Sequence, residues 1–449
     1  MSRKSIGGRP SRRRVLEGVG AAGLTSIAGC IGTGERENSG SSSDDGDSSS
    51  NSQMASEIDG WGWDIAARSL QLTAEEYNAE HDATVQIEEF GRGAMKDRLQ
   101  TNLVSGSGAP PVAMLESIDA QVFIDTGSVT DLSDRIEEAG IRENFVSGTW
   151  EGLSTDDGIY ALPWDIGPVA VFYRQDIYDE YDIDPDSIET WDDFIEEGQK
   201  LPDDIALLNL PENDLNGVWR YQFRQLGGEP FLESGEVNIN SETSLRVARK
   251  IKEIYDAGVA TNIESWSSSW FTAYGNGDIA ALPAGAWMEG TLRAELPDTS
   301  GLWGVHLPLA YESGGSRATN WGGSNLMIPN QVSETEAARA WDYMMWTLAN
   351  EEMQLLMFEE YGLFPALETT YDSDIFSEPV DFFDGQPVRE VYASVAPDIP
   401  GYRFTADTPE VSAAMGTNLQ RMIQGDMTPE EAIQDAAETV AENTGRDLA

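Results

Sequence analysis

One stretch, Gly158 to Tyr178, constrains the fold more than any other part of the chain. It reads GIYALPWDIGPVAVFYRQDIY, an apolar segment that is broken at Pro163 and again at Gly167-Pro168. The run of β-branched and aromatic residues that follows is typical of a buried strand. A strand entered through a Trp-Asp-x-Gly-Pro turn, directly after another apolar segment, indicates a crossing between two lobes. Taken alone, an ordinary loop with a packed tryptophan would have the same pattern.

Length and charge narrow the class of protein. A chain of 449 residues is too long for one core, so we expect at least two lobes. The net charge of −51 comes from 79 acidic against 28 basic residues, spread over every segment rather than gathered in a tail. Such a surface argues against nucleic-acid binding, which requires basic side chains to neutralise phosphates. It predicts a protein kept soluble in high salt, as in a halophile.

Cysteine and histidine are scarce, which limits the possible chemistry. Cys30 is the single cysteine, so no intramolecular disulfide can form. His81 and His306 are the only histidines, which gives little support for a metal site. We therefore expect neither a metal nor a cofactor.

The first 56 residues have the composition of an export signal and a tether. Residues 1–30 carry a twin-arginine pattern at Arg12 and Arg13, then a Gly/Ala-rich apolar run that ends in Ala-Gly-Cys. This ending resembles a lipoprotein cleavage box, which predicts that Cys30 becomes the lipidated N-terminus. Residues 31–56 are rich in Ser, Gly and Asp and predict a flexible acidic tether.

From residue 57 onward, strand patterns alternate with helix patterns, which predicts an α/β fold with a parallel sheet. Ligands bind beyond the carboxyl ends of the strands in such sheets. Candidate site residues are those that follow the predicted strands: Trp63, Asp64, Gly91, Arg92, Glu116, Trp164 and Asp165. Thr190 precedes Trp191-Asp192-Asp193 and is a predicted helix N-cap.

Six segments, in this order, resemble one known family. They are TNLVSGSGAPPVAMLES, the crossing stretch, TWDDF, GDIAALPAGAW, NWGGSNLMIP and EEYGLFPA. Over about residues 58–440 the chain resembles the extracellular solute-binding proteins of ABC importers. The similarity is to family 1, the sugar-binding group that includes maltose-binding-type proteins. Together with the acidic surface and the cleavage box, it indicates a haloarchaeal lipoprotein of this kind.

The resemblance implies a type II periplasmic-binding-protein fold, in which two α/β lobes are joined by crossing strands around a ligand cleft. The implied N-terminal lobe comprises residues 57–163 and 319–364, and the C-terminal lobe residues 164–318 and 365–449. The implied function is to capture a sugar outside the cell by lobe closure and deliver it to a membrane permease with a cytoplasmic ATPase. The protein would be a monomer without catalytic activity, held at the outer face of the membrane by Cys30.

Sugar binding requires aromatic platforms for the C–H faces of the rings and polar side chains for the hydroxyls, as in ligand pockets generally. The candidate ligand-binding residues are therefore Trp63, Asp64, Arg92, Glu116, Trp164, Asp165, Trp219, Trp287, Trp321, Gly322 and Gly323. The two glycines would let the backbone approach a ligand closely. Trp266 and Trp270 are further aromatic candidates, and their placement stays open.

Two alternatives remain at this stage. The same fold could bind a glycerol phosphate ester, a peptide or a polyamine, although the number of tryptophans favours a sugar. A secreted glycosidase would require two carboxylates on either side of a sugar. No spacing in the sequence singles out such a pair.

Overall fold

The structure, a computed structural model, describes residues 54–449. The predicted twin-arginine signal at Arg12 and Arg13, the lipidation site Cys30 and most of the tether lie outside these residues. The predicted tether extends to residue 56, but the backbone N–H of Ala55 already donates to the carbonyl of Thr335 at 2.9 Å. The folded body therefore begins slightly earlier than expected. In residues 54–449, no helix is long and apolar enough to cross a membrane.

Ten strands make up the sheets of the described chain. They are β1 (Glu57–Trp63), β2 (Thr84–Phe90), β3 (Val112–Glu116), β4 (Leu162–Asp165), β5 (Val169–Arg174), β6 (Leu208–Asn209), β7 (Ala260–Thr261), β8 (Ala281–Gly285), β9 (Trp303–His306) and β10 (Ser324–Met327).

Fifteen α-helices connect and cover these strands. They are α1 (Asp64–Glu80), α2 (Arg92–Ser105), α3 (Ser117–Asp125), α4 (Ser133–Ala139), α5 (Gln175–Glu180), α6 (Trp191–Gly198), α7 (Leu215–Gln225), α8 (Glu242–Asp256), α9 (Ser268–Asn276), α10 (Met288–Glu295), α11 (Glu334–Leu348), α12 (Glu351–Tyr361), α13 (Val388–Val395), α14 (Thr408–Ile423) and α15 (Pro429–Thr444). The N-cap predicted at Thr190 is confirmed, because its hydroxyl accepts from the backbone N–H of Asp193 at 3.2 Å.

The first lobe is built on a five-stranded sheet with the order β2-β1-β3-β10-β4. β1 runs parallel to β2 and β3, whereas β10 runs antiparallel to both of its neighbours. The parallel part follows from the alternation of strand and helix, since each parallel return needs a crossover connection. β10 comes from much later in the chain and inserts between β3 and β4.

The second lobe contains the antiparallel sheet β8-β5-β9 and the short parallel pair β6-β7. The N–H of Ala281 donates to the carbonyl of Leu207 at 2.8 Å, and this bond joins the pair to the larger sheet. Two sheets flanked by helices confirm the predicted α/β class.

Three backbone segments run side by side between the two sheets. The first lies between β4 and β5, the second leads into β10, and the third follows α12. Ile166 N–H donates to the Phe364 carbonyl at 3.0 Å, and Val169 N–H donates to the Thr319 carbonyl at 3.0 Å. We refer to Ile166–Pro168 as the first crossing, Thr319–Gly323 as the second and Gly362–Pro365 as the third.

The hydrophobic cores do not divide at the lobe limits predicted from the sequence. Ala170 and Phe172 of β5 belong to the core of the first sheet, while Val169, Val171 and Tyr173 belong to a second core. Successive strand side chains point to opposite faces, so this fully buried strand contributes to both cores. Buried residues of 270–305 and 366–396, predicted to lie in the C-terminal lobe, share the first core.

Candidate ligand-binding cleft

A cavity of about 800 Å³ opens between the two lobes, at the ends of their strands. Its walls include nine of the side chains and glycines expected from the sequence: Trp63, Asp64, Arg92, Glu116, Asp165, Trp287, Trp321, Gly322 and Gly323. In the first lobe these residues follow the carboxyl ends of β1 to β4, which meet at the same edge of the sheet. The sequence thus identifies one wall of the cleft by strand position alone.

Two of the expected residues lie elsewhere. The side chain of Trp164 is 1% exposed and lies in the first core. Trp219 is fully buried in the second core, where it stacks on Phe223 at 4.6 Å and its indole N–H donates to the Ser244 hydroxyl at 3.1 Å. Trp164 and Trp219, both predicted to contact a ligand, therefore do not line the cavity.

Helical geometry explains why Trp219 does not line the cavity. Successive residues of α7 point about 100° apart, because the helix has 3.6 residues per turn. Trp219 and Phe223 face the core, while Arg220 and Tyr221 line the cleft. The sequence pattern around Trp219 did not show which of these neighbouring residues faces the cleft.

Asp64 begins α1 with φ of +48°, which is left-handed backbone that aspartate tolerates better than most residues. Burial, with a further contribution from Glu89, raises the pKa of Asp64 above its ordinary value. The Asp64 side chain lines the cleft. Because Asp64 is the first residue of α1, it also lies near the positive end of the helix dipole.

Arg92 and Glu116 form an ion pair across the ends of β2 and β3. Arg92 Nε donates to Glu116 Oε2 at 2.7 Å. Burial lowers the pKa of Arg92, but the combined attraction of Glu116, Asp119 and Asp214 leaves the pKa raised. The pair presents one fixed cation and one fixed anion to the cavity, and each has further capacity for hydrogen bonds.

Asp165 lies deeper, where β4 meets β10. Its side chain is 5% exposed, and its Oδ1 accepts from the backbone N–H of Ser324 at 2.7 Å. Burial raises the pKa of Asp165 to about 7. The hydrogen bond to Ser324 holds the start of β10, directly after the second crossing, against β4.

Sequence reasoning missed a group of cleft residues from the second lobe: Asn209, Asn213, Asp214, Arg220, Tyr221 and Ser265. Burial raises the pKa of Asp214 to about 6, an effect that Arg220 partly opposes. β6 has only two residues, so its pattern gave no clear strand end from which to infer Asp214. Its position directly before α7 was the remaining signal.

Five tryptophans line the cleft: Trp63, Trp266, Trp270, Trp287 and Trp321. Trp266 and Trp287 stack with ring centroids 5.7 Å apart and planes 28° apart. Trp321 stacks on Tyr221 at 5.0 Å, and Trp63 lies on the first lobe's side. Trp266 is 52% exposed and has φ of +68°, an unusual conformation for so bulky a residue. Strained backbone of this kind is concentrated at functional sites.

Comparison with known proteins identifies relatives over most of the chain. The family model described as bacterial extracellular solute-binding protein matches residues 73–384. The lactose-binding protein of Rhizobium radiobacter is 28% identical over 405 residues, which cover 86% of this chain and 94% of the relative. The arabinooligosaccharide-binding protein of Halalkalibacterium halodurans is 25% identical over 397 residues, covering 85% and 84% of the two chains.

A solved structure has the same fold over nearly its whole length. It is the ABC transporter associated binding protein from B. animalis subsp. lactis in complex with β-1,6-galactobiose. The two superpose with a TM-score of 0.76 and 26% identity over 88% of this chain and 99% of that chain. The expected two-lobed fold is confirmed. Because the family model covers well over half of its length, the chain belongs to the bacterial extracellular solute-binding protein family.

Proposed function

We propose that this protein is the substrate-binding subunit of an ABC importer and that its cargo is a sugar. The observation that carries the proposal is the cleft itself, where aromatic rings and ionised side chains line a cavity of about 800 Å³ between two lobes. Pockets of roughly 300–1,000 Å³ enclose small organic ligands. The relatives named for lactose, arabinooligosaccharide and galactobiose support a sugar of two or more units.

The chemistry of the walls suits a sugar. The rings of Trp63, Trp287 and Trp321 offer flat apolar surfaces to the C–H faces of pyranose or furanose rings. The carboxylates of Asp64 and Glu116 accept hydrogen bonds from hydroxyl groups. Charged acceptors make stronger hydrogen bonds than neutral ones, which helps to offset the desolvation of the sugar.

Capture requires no bond to be made or broken. The lobes close on the ligand by a hinge motion at the three crossings, and the closed form delivers it to the membrane permease. The family consists of binding proteins, which supports a role without catalysis.

Ligand binding is tested by calorimetry and thermal shift in multimolar KCl. The panel comprises lactose, galactobiose and arabinooligosaccharides, together with peptides, polyamines and glycerol phosphate esters. A ligand at 100 times its Kd raises stability by about 2.7 kcal/mol. The shift should be lost in Trp63→Ala and retained in Trp341→Ala, since Trp341 is half-buried on α11 outside the cleft. Binding of non-sugar solutes alone would refute the proposal that the cargo is a sugar. Release of reducing ends from the oligosaccharides would indicate a glycosidase.

The location follows from the family and from the signal sequence. Extracellular solute-binding proteins act outside the cell membrane, and we propose twin-arginine export through Arg12 and Arg13 followed by lipidation of Cys30. The wild-type protein should partition with membranes until detergent is added, whereas Cys30→Ser should be released into the medium. Retention of Cys30→Ser on the membrane would refute the anchor.

We also propose that the protein is a monomer, which light scattering of the Cys30→Ser variant without detergent would test.

A further inference from the structure

Trp287 connects the cleft directly to the second crossing. It follows β8, and its indole Nε1 donates to the backbone carbonyl of Trp321 at 2.7 Å, across 34 residues of sequence. The backbone N–H of Trp321 in turn donates to the carbonyl of Gly167 at 2.8 Å. Both polar groups of the Trp321 backbone are therefore bonded, one to a cleft side chain and the other to the first crossing.

Three glycines leave the space that this hydrogen bond occupies. A Cβ on Gly167 would lie 2.0 Å from the Trp321 carbonyl oxygen, and a Cβ on Gly285 would lie 2.4 Å from Trp287 Nε1. Gly322 has φ of +100°, and its Cβ would lie 3.0 Å from the same nitrogen. These glycines belong to the first crossing, β8 and the second crossing, so three separate segments surround this one hydrogen bond.

The rings at either end of this bond face the cleft. Trp287 stacks against Trp266, and Trp321 stacks against Tyr221. Because the only N–H of the Trp287 side chain is already bonded, its ring can offer a ligand an aromatic face and no donor. A ligand that packs against this face restricts rotation of the Trp287 ring. Because the ring N–H is hydrogen-bonded to the Trp321 carbonyl, the position of that carbonyl is then restricted as well.

We propose that Trp287 is a positioning residue that couples occupancy of the cleft to the conformation of the second crossing. Gly322 and Gly323, with φ of +100° and +109°, lie directly after the carbonyl that Trp287 holds. Glycine tolerates such backbone and neighbouring left- and right-handed conformations with little steric penalty. The bond therefore restrains the backbone directly before the two glycines of the crossing. The role rests on the proposed function as a ligand-binding protein.

A matched pair of substitutions separates this coupling from simple stacking. Trp287→Phe keeps an aromatic ring but loses the bond to Trp321. Trp266→Phe changes the other ring of the same stacked pair, and its indole N–H makes no hydrogen bond within residues 54–449. Both variants should bind a sugar ligand more weakly, whereas only Trp287→Phe should alter the crossing. Gly167→Ala is a third variant, which leaves the Trp287 ring intact but displaces the carbonyl it bonds.

The measurement is the distribution of distances between the lobes by double electron–electron resonance. Spin labels are placed at Val104→Cys and Glu312→Cys, both highly exposed, in the full chain with Cys30→Ser. Without ligand, Trp287→Phe and Gly167→Ala should change the ratio of open to closed conformers roughly three- to tenfold, the effect of one net hydrogen bond. Trp266→Phe should match the wild type.

Ligand is then added as lactose, with galactobiose and arabinooligosaccharide as further probes. Closure of the wild type that is weakened most in Trp287→Phe supports the coupling. Identical distance distributions in Trp266→Phe and Trp287→Phe without ligand would overturn it. If no sugar closes the wild type, the proposed cargo fails, but the ligand-free comparison still decides whether Trp287 controls the crossing.

Discussion

Replacing Asp165 with asparagine tests the electrostatics at the floor of the cleft. The Asp165 carboxyl is 5% exposed and accepts a hydrogen bond from Ser324 N–H at 2.7 Å. Burial raises its pKa from the ordinary 3.8 to about 7. Asparagine has nearly the same shape, and its carbonyl oxygen can accept the same hydrogen bond without carrying a charge.

The size of the effect follows from the two pKa values. Between about pH 4 and pH 7 the unfolded chain has lost this proton while the folded protein retains it, so the contribution of Asp165 to stability falls as pH rises through that window. Each pKa unit corresponds to about 1.36 kcal/mol, so the ionised carboxylate costs the folded state about 4 kcal/mol above pH 7. Asp165→Asn should therefore be more stable than the wild type by about 4 kcal/mol at about pH 8, and by close to zero at about pH 4.

The assay is urea unfolding at constant multimolar KCl, followed by tryptophan fluorescence over a series of pH values. Asp156→Asn makes the same substitution at an exposed position and is the matched control. If Asp165→Asn is less stable than the wild type at about pH 8, or if the difference between them is the same at every pH, the reasoning is wrong.

Three further predictions concern stability. Burial lowers the pKa of His306 to about 4 against an ordinary 6.5, so the contribution of this residue to stability should drop by about 3 kcal/mol as pH falls between these values. His306→Asn removes that contribution, so its stability relative to the wild type should rise by about the same amount over this range in the same urea assay. The melting temperature should rise with the KCl concentration, because salt screens the repulsion among the residues that give the net charge of −51. The Debye length is about 10 Å at 0.1 M and about 3 Å at 1 M. A melting temperature that does not depend on salt would contradict a halophilic surface. Gly290→Ala should destabilise the protein by about 2 kcal/mol or more, because its Cβ would lie 1.8 Å from the Tyr361 carbonyl oxygen. Gly93→Ala, whose Cβ would have no atom within 4 Å, is the control and should be neutral or slightly stabilising. Equal effects of the two substitutions on the free energy of unfolding would refute the packing argument.

The class of fold and one wall of the cleft could be inferred from the amino-acid sequence alone. Local patterns specify strands and helices, and parallel strands necessarily bring their carboxyl ends to one edge of the sheet. That rule is enough to gather Trp63, Arg92, Glu116 and Asp165 at a common site before any coordinates are known. It works because it depends on the direction of each strand and not on the contacts of individual side chains.

Which face each helix or strand buries, and which residues it contacts, depends on how the two lobes pack in three dimensions. The local sequence does not distinguish Trp164 and Trp219 from the tryptophans of the cleft. In the folded protein, however, both side chains are buried in the hydrophobic cores. The bond from Trp287 to Trp321 joins residues 34 positions apart on separate segments. No local pattern encodes such a contact, because its geometry exists only once the crossings have brought the two sheets together.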